Sequence, residues 1–163
     1  MKIYLAARYS RREELRTYRD LLVSDGHTVT SRWLNESHDE LEDAMRRGED
    51  GVAQQRCADE DLEDVARADL LMLFADPPKS VLRGGKFVEL GYALAKCSCV
   101  WIIGRAENVF GYATGVLRFD TFREARMELA LQASFGPRGG YDKVECSNTD
   151  RTATCRADLA LTS

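Results

Sequence analysis

A continuous apolar run, Leu70 to Phe74, constrains the fold of this chain more than any other segment. Five apolar residues in succession, broken by Asp76-Pro77-Pro78, are typical of a strand that is buried on both faces of a parallel sheet. Both faces of such a strand must be covered by helices, because crossover connections join neighbouring parallel strands. The run therefore predicts an α/β fold with this strand in its interior.

Strands and helices are predicted to alternate along residues 1–135. The other predicted strands span residues 2–7, 27–31, 99–103 and 116–119. The predicted helices begin after Ser10 and cover about 52–67, 86–96 and 121–133. This alternation is typical of α/β proteins. We predict a Rossmann-like or flavodoxin-like three-layer sandwich with a mostly parallel sheet of about five strands.

Local signals set the ends of the first predicted helix. Ser10 and Glu13 have the spacing of a capping box, in which Ser10 is the N-cap residue. Asp25-Gly26 ends the same helix. Residues 33–50 are polar and only weakly periodic, so we predict that they are mostly loop.

The last 28 residues differ in character from the rest of the chain. Residues 136–140, Gly-Pro-Arg-Gly-Gly, interrupt any regular structure, and residues 147–163 lack clear periodicity. We therefore predict one domain over 1–135 and a C-terminal tail over 136–163, whose pattern is compatible with disorder.

Composition argues against two classes of protein. The formal net charge of −4 does not favour binding of duplex nucleic acid, which needs a basic face. No apolar run approaches the ~18 residues of a membrane span, so we expect no membrane association. The N-terminal apolar run is too short for a secretory signal, and we interpret the five cysteines as reduced thiols. Together these features predict a cytoplasmic protein.

Three segments are predicted to leave strands at the carboxyl edge of the sheet. In open α/β sheets this edge binds ligands. The segments are rich in groups that bind small polar molecules, and they span residues 6–10, 76–85 and 104–110. We therefore expect a small-molecule site there.

Glu89 is the candidate nucleophile. It is predicted near the first turn of the helix that follows Gly84-Gly85, where the helix dipole favours an anionic carboxylate. A carboxylate of this kind can attack C1 of a sugar, with the help of a second carboxyl group. The partner candidates are Asp59, Glu60, Asp61, Glu63 and Asp64. From the residues alone, a solvated helix surface is the favoured interpretation both of Glu89 and of this acidic run.

A resemblance to a known family makes the choice more specific. Residues 84–95, Gly-Gly-Lys-Phe-Val-Glu-Leu-Gly-Tyr-Ala-Leu-Ala, resemble the signature helix of the nucleoside 2-deoxyribosyltransferase-like superfamily. That superfamily includes deoxyribosyltransferases and nucleoside 5'-monophosphate N-glycosidases. The resemblance implies that Glu89 is the nucleophile.

Three other motifs of the family are present, and all four stand in the correct order along the chain. The resemblance spans about residues 1–134. Residues 59–69 resemble the stretch before the third strand, which implies that Asp61 is the catalytic aspartate. Residues 2–6 place the family's tyrosine at Tyr4. Residues 107–110 resemble the loop that reaches the site of a neighbouring subunit, which implies a homodimer with shared active sites and a contact from Asn108.

Two departures from the family pattern bear on the substrate. Arg83 stands six residues before Glu89, where the transferases carry Asp and the monophosphate hydrolases Ser. A guanidinium suits a phosphate better than a sugar hydroxyl. The first loop is also not glycine-rich. We predict that the substrate is bound by Arg83, Gly85, Asn108 and the first-loop residues Ala7, Arg8, Tyr9 and Ser10.

Trp33 and the two histidines carry weaker hypotheses. Trp33 follows the second predicted strand, where it stacks on a base or covers the core. His27 is interpreted as a strand-edge residue and His38 as a loop residue. Neither has neighbours diagnostic of a metal site, and G-x-G-x-x-G is absent after the first strand. We therefore predict no metal and no cofactor.

Four functions are compared. The leading one is an N-glycosidase that hydrolyses a (deoxy)nucleoside 5'-monophosphate to free base and sugar 5-phosphate through a covalent glycosyl-Glu89 intermediate. The first alternative is a nucleoside 2-deoxyribosyltransferase that exchanges bases. A nucleotide-binding or sensor module without turnover, and a purely structural α/β protein, belong to different classes. Both leave the set of Tyr4, Asp61 and Glu89 unexplained.

Overall fold

The computed structural model describes residues 1–35, 47–48, 50–77, 84–96 and 99–135. The predictions for Arg83, for His38, for most of the 33–50 loop and for the 136–163 tail lie outside these residues. The strands are β1 (Lys2–Ala6), β2 (Thr28–Val29), β3 (Leu70–Phe74), β4 (Cys99–Ile103) and β5 (Val116–Phe119). The α-helices are α1 (Arg12–Ser24), α2 (Asp50–Arg67), α3 (Gly85–Ala95) and α4 (Phe122–Phe135).

The five strands form one parallel sheet in the order β2-β1-β3-β4-β5. This is the flavodoxin-like order, and its switch point lies between β1 and β3. The predicted fold class is therefore confirmed. The prediction for β3 is correct to the residue, and so are those for β4 and β5.

The helices cover both faces of the sheet. The parallel register pairs Tyr4 with Leu71, so these side chains share a face, and Phe74, three residues further along β3, lies on the other. Tyr4 contacts α2 and α3, which also pack on each other. Phe74 stacks on Tyr18 of α1 and contacts Phe122 of α4. The layers are thus α1 and α4, the sheet, and α2 with α3.

The core is centred on β3. All five of its residues are at most 2% exposed, as the apolar run predicts. Truncating a fully buried leucine such as Leu71 to alanine typically costs about 2–5 kcal/mol. Within the described residues, no helix has both the length and the apolar character needed to cross a membrane.

Two local predictions are wrong. The second strand was predicted over 27–31, but only Thr28 and Val29 pair with β1, at the edge of the sheet. The capping box is not formed, because the chain makes a 3-10 turn over Tyr9–Arg11 before α1 begins. The α1 N-cap is Arg11, and no side chain caps the helix. Glu13 instead pairs with Arg16 at 2.8 Å.

Candidate active site

Tyr4, Asp61 and Glu89 meet on the face of the sheet that α2 and α3 cover. The phenol oxygen of Tyr4 lies 3.0 Å from Glu89 Oε1 and 3.2 Å from Asp61 Oδ1. The three residues come from β1, α2 and α3, so the fold unites positions that are far apart in the sequence. We call this set the phenol-centred cluster.

The phenol-centred cluster binds its protons tightly. Desolvation and the charge of Asp61 raise the pKa of Glu89 to about 8, against the opposing effects of Tyr4 and Lys86. Burial and the two carboxylates raise the pKa of Tyr4 well above its ordinary value, so the phenol keeps its proton. One phenol proton serves one carboxylate at a time. The second short contact is therefore a hydrogen bond only when a protonated carboxyl group donates to Tyr4 Oη.

The position of Glu89 on α3 differs from the expectation. It is the fifth residue of the helix and lies in the second turn, where the dipole has little effect. Its pKa is raised rather than lowered, because burial and Asp61 outweigh the helix end. Its second oxygen, Oε2, is buried, and none of the described residues forms a hydrogen bond with it.

The acidic run on α2 is not a uniform solvated surface. Asp61 reaches Tyr4, whereas Asp64 is fully buried and accepts hydrogen bonds from the backbone N–H of Arg32 at 2.8 Å and from its side chain at 2.9 Å. Arg67 also pairs with Asp64. Asp59 is exposed. The two inward carboxylates are three residues apart, and Asp64 anchors the helix that carries Asp61.

A second buried cluster lies beside the first, and the sequence analysis missed it. Lys86 Nζ donates to Asp76 Oδ2 at 2.7 Å and to Glu107 Oε1 at 2.6 Å. Its side chain is 5% exposed, and those of Asp76 and Glu107 are 2% and 11% exposed. The backbone N–H of Asp76 also donates to Glu107 Oε1 at 2.7 Å. We call this set the ammonium-centred cluster.

A sequence signal for the ammonium-centred cluster existed. Asp76 follows β3 and Glu107 follows β4, two adjacent parallel strands, so both had to lie at the carboxyl edge of the sheet. Lys86 stands on α3 between the glycine pair and the apolar helix face. A lysine there needs an anionic partner once the helix packs on the sheet.

Several side chains of the first loop and the start of α1 contact other groups of the protein. Arg11 pairs with Glu14 at 2.7 Å and donates to the carbonyl of Ala75 at 2.8 Å. Arg12 lies over the ring of Tyr9. The predicted substrate-binding residues Arg8 and Ser10 are exposed, and Ala7 and Tyr9 are half-buried.

Trp33 lies in the core. It is 7% exposed, its indole N–H donates to the carbonyl of Leu5 at 2.9 Å, and its ring is 6.3 Å from that of Tyr9. Most of its surface therefore contacts other residues of the protein, which agrees with the alternative that Trp33 covers the core. Ser31 Oγ accepts from the backbone N–H of Leu5 at 2.7 Å, and this places the same segment against β1.

The glycine pair plays two different parts. Gly84 has a φ of 83°, which a side chain disfavours, and it forms the N-cap of α3. Gly85, a predicted substrate-binding residue, is exposed, and a Cβ there would meet no described atom outside its own helix within 4 Å. Gly84 therefore sets the direction of the chain into α3, whereas Gly85 has no such conformational role.

Asn108 caps a 3-10 turn over Val109–Tyr112, and its side chain accepts from the backbone N–H of Phe110 at 3.0 Å. The turn presents large apolar side chains to solvent: Val109 is 76%, Phe110 64% and Tyr112 61% exposed. These three residues form an exposed apolar surface next to Asn108.

A groove of about 490 Å³ lies apart from both clusters, on the outer side of α2. It is lined mainly by polar and charged residues, and its lining does not include Tyr4, Asp61 or Glu89.

In the part of the chain that the structure describes, no group of three or more His, Cys, Asp or Glu is arranged to hold a metal ion.

Comparison with known proteins finds similarity to solved structures. No family model matches the chain, and no curated protein matches it. A solved structure of a Clostridium botulinum CMP N-glycosidase, BcmB, is similar, with 20% sequence identity and a TM-score of 0.49. The similarity covers 80% of this chain and 99% of that chain. A likeness of this degree is too weak to transfer an activity from one protein to another.

Proposed function

We propose that this chain is an N-glycosidase that hydrolyses a (deoxy)nucleoside 5'-monophosphate to the free base and the sugar 5-phosphate. The observation that carries the proposal is the short contact of one phenol with two carboxyl groups, Glu89 at 3.0 Å and Asp61 at 3.2 Å. Cleavage of a glycosidic bond with a covalent intermediate needs a nucleophilic carboxylate and a nearby acid.

The mechanism needs one carboxyl group protonated and the other ionised, and the raised pKa of Glu89 supports the presence of that proton. With a pKa of about 8 for Glu89, the Glu89–Asp61 pair retains roughly one proton at neutral pH. At rest this proton is on Glu89, and in the proposed reactive form it has passed to Asp61, so that Glu89 is ionised and can attack. Tyr4 donates to Glu89 Oε1, which leaves Oε2 as the attacking oxygen.

The reaction then proceeds in two balanced steps. Glu89 attacks C1 of the sugar, the C1–N bond breaks, and its electron pair leaves with the base, which takes the proton of Asp61. Water next attacks C1 and gives a proton to Asp61, while the ester bond breaks and restores the Glu89 carboxylate. The sum is nucleotide plus water to base plus sugar 5-phosphate.

We further propose that the 5'-phosphate is bound by Arg83 and the first loop. Arg83 has a chemical preference for a phosphate over a hydroxyl, and Arg8 and Ser10 are exposed at the carboxyl end of β1. Arg8 has no ion pair with any described residue, in contrast to Arg11, which is bound to Glu14.

A substrate panel tests this function. The purified protein is incubated with matched nucleosides and 5'-monophosphates, and released base and sugar phosphate are measured. We expect kcat/KM for the monophosphate to exceed that for the nucleoside by at least ~10-fold, and Arg83→Ala to remove most of this difference. Better turnover of the nucleoside, with transfer to an added second base, would establish base exchange instead. Binding without release of base would establish a sensor.

We also propose that the active unit is a homodimer, with Asn108 completing the partner's site. The exposed apolar surface of Val109, Phe110 and Tyr112 supports this, because a second copy would bury it. Sedimentation should show a dimer that Phe110→Ser weakens. The matched control is Val23→Ser, which changes a 53% exposed valine on α1 and should leave association unchanged. A fully active monomer would remove Asn108 from the site.

A further inference from the structure

The ammonium-centred cluster includes a residue, Lys86, of the helix that carries Glu89. Lys86 is the second residue of α3 and Glu89 the fifth, so their side chains are neighbours at a spacing of three residues. The partners of Lys86 lie on different segments, Asp76 after β3 and Glu107 after β4. The ion pairs therefore fasten the first turn of α3 to the ends of two central strands.

This attachment is buried, and its groups are shared between three segments of the chain. The Lys86 side chain is 5% exposed, and breaking one of its contacts would leave a charge in a poorly solvated place. Glu107 Oε1 receives both Lys86 Nζ and the backbone N–H of Asp76, so the loop after β4, the end of β3 and α3 converge on one oxygen. Gly84, with its φ of 83°, turns the chain into α3 immediately before this point.

On the proposed function, on which this inference rests, we infer that Lys86 is a positioning residue for Glu89. The ammonium-centred cluster fixes the rotation and height of the first turn of α3, and thereby sets where the Glu89 carboxylate lies relative to Tyr4 and Asp61. Lys86 also adds a fixed positive charge one turn before the carboxylate. It acts through Glu89 and does not touch the reacting atoms.

The charged and titratable groups around Glu89 make the electrostatic part testable. Tyr4 faces it from β1, Asp61 from α2, and Lys86 precedes it on α3. Lys86 is the cation of this set and favours the ionised carboxylate, whereas Asp61 opposes it. Removing the ammonium should raise the pKa of Glu89 further, and a substitution that only loosened the fold would not.

The experiment compares Lys86→Met with Lys86→Arg and with Lys96→Met, which removes an exposed lysine from the end of the same helix. The readouts are the titration of Glu89 by carboxyl NMR and the pH profile of kcat/KM. For Lys86→Met we expect the Glu89 pKa to rise by about half a unit or more. We also expect kcat to fall about 10- to 100-fold with KM nearly unchanged. Lys86→Arg should restore most of both, and Lys96→Met should change neither.

The outcomes separate this inference from the proposed function. If no substrate is turned over, the proposed function fails, but the titration of Glu89 still tests the action of Lys86. If Lys86→Met lowers stability yet leaves the Glu89 titration and the pH profile unchanged, the inference is wrong. If Lys86→Met does not fold, Lys86→Gln serves in its place, with the same expected rise of the Glu89 pKa. An unchanged Glu89 titration in that variant would likewise overturn the inference.

Discussion

Among the described residues, two pairs of carboxyl groups lie in or at the edge of the interior, and they differ in the group that lies between them. Asp76 and Glu107 share the ammonium of Lys86, at 2.7 and 2.6 Å. Asp61 and Glu89 share the phenol of Tyr4, at 3.2 and 3.0 Å. An ammonium offsets negative charge, whereas a neutral phenol donates one proton and leaves the two carboxyl groups to repel each other. A carboxyl group is thus part of a structural ion pair in one place, and in the other it retains a proton and takes the reactive role that we propose.

The largest expected effect concerns Glu89. Glu89→Ala removes the proposed nucleophile, so kcat/KM should fall by several orders of magnitude while the circular dichroism spectrum stays that of the wild type. At ~1.4 kcal/mol per tenfold, loss of covalent catalysis costs at least a few kcal/mol. Asp20→Ala, at an exposed position on α1, is the control. More than about a tenth of the wild-type activity in the Glu89 variant would reject the nucleophile assignment.

Asp61 should show a smaller effect with a distinct pH signature. Asp61→Asn removes the proposed acid, and we expect kcat to fall about 100-fold. Because the charge of Asp61 raises the pKa of Glu89, the Glu89 titration should move downward from about 8. Asp59→Asn, two residues earlier on α2 and exposed, should have neither effect. If the Asp59 variant proves the defective one, the partner carboxylate has been assigned to the wrong residue.

Substitutions in the ammonium-centred cluster should chiefly change the stability of the protein. Asp76→Asn removes a partner of a buried lysine, and we expect the free energy of unfolding in urea to fall by about 3 kcal/mol. Asp25→Asn breaks the ion pair of Asp25 with Arg126, near the surface between α1 and α4, and should cost less than about 1 kcal/mol. Equal losses in the two variants would mean that burial does not distinguish these ion pairs.

The stability of the protein should also depend on pH through Glu89. The pKa of Glu89 is raised from its ordinary 4.5 to about 8, so between these values the unfolded chain has lost a proton that the folded chain retains. The free energy of unfolding therefore falls as the pH rises through this window. Glu89→Gln has no such proton. Its stability relative to the wild type should increase between pH 4.5 and pH 9, by at most about 5 kcal/mol at about 1.4 kcal/mol per pKa unit. A pH-independent difference would contradict the raised pKa.

The fold was predicted well because buried strands and helix faces have recognisable apolar patterns in the sequence. The continuous apolar run of β3 and the shorter runs of β4 and β5 gave strands that are correct to the residue. The second strand was predicted too long, because residues that continue an extended pattern at a sheet edge need not pair. Ser10 matched a capping motif, but the 3-10 turn before α1 removed the geometry that the motif needs.

The residues of the phenol-centred cluster were predicted from the sequence, whereas those of the ammonium-centred cluster were not. The family resemblance selected Tyr4, Asp61 and Glu89, and the structure brings these three together. The apolar periodicity of α2 did not separate Asp61, which faces Tyr4, from Asp64, which pairs with Arg32. The ammonium-centred cluster was missed because its members lie on three segments, and their proximity depends on strand order. The raised pKa of Glu89 could not be predicted either, since it arises from desolvation.

The distance along the chain between the members of the phenol-centred cluster has a kinetic consequence. Tyr4 is 57 residues from Asp61 and 85 from Glu89, so both contacts are non-local. Closing such long loops is entropically unfavourable until β1 has inserted beside β3, and folding that depends on distant contacts is slow. A refolding chain can therefore regain helix early and remain inactive. Recovery of catalysis would then report completion of the sheet, which helix content alone does not.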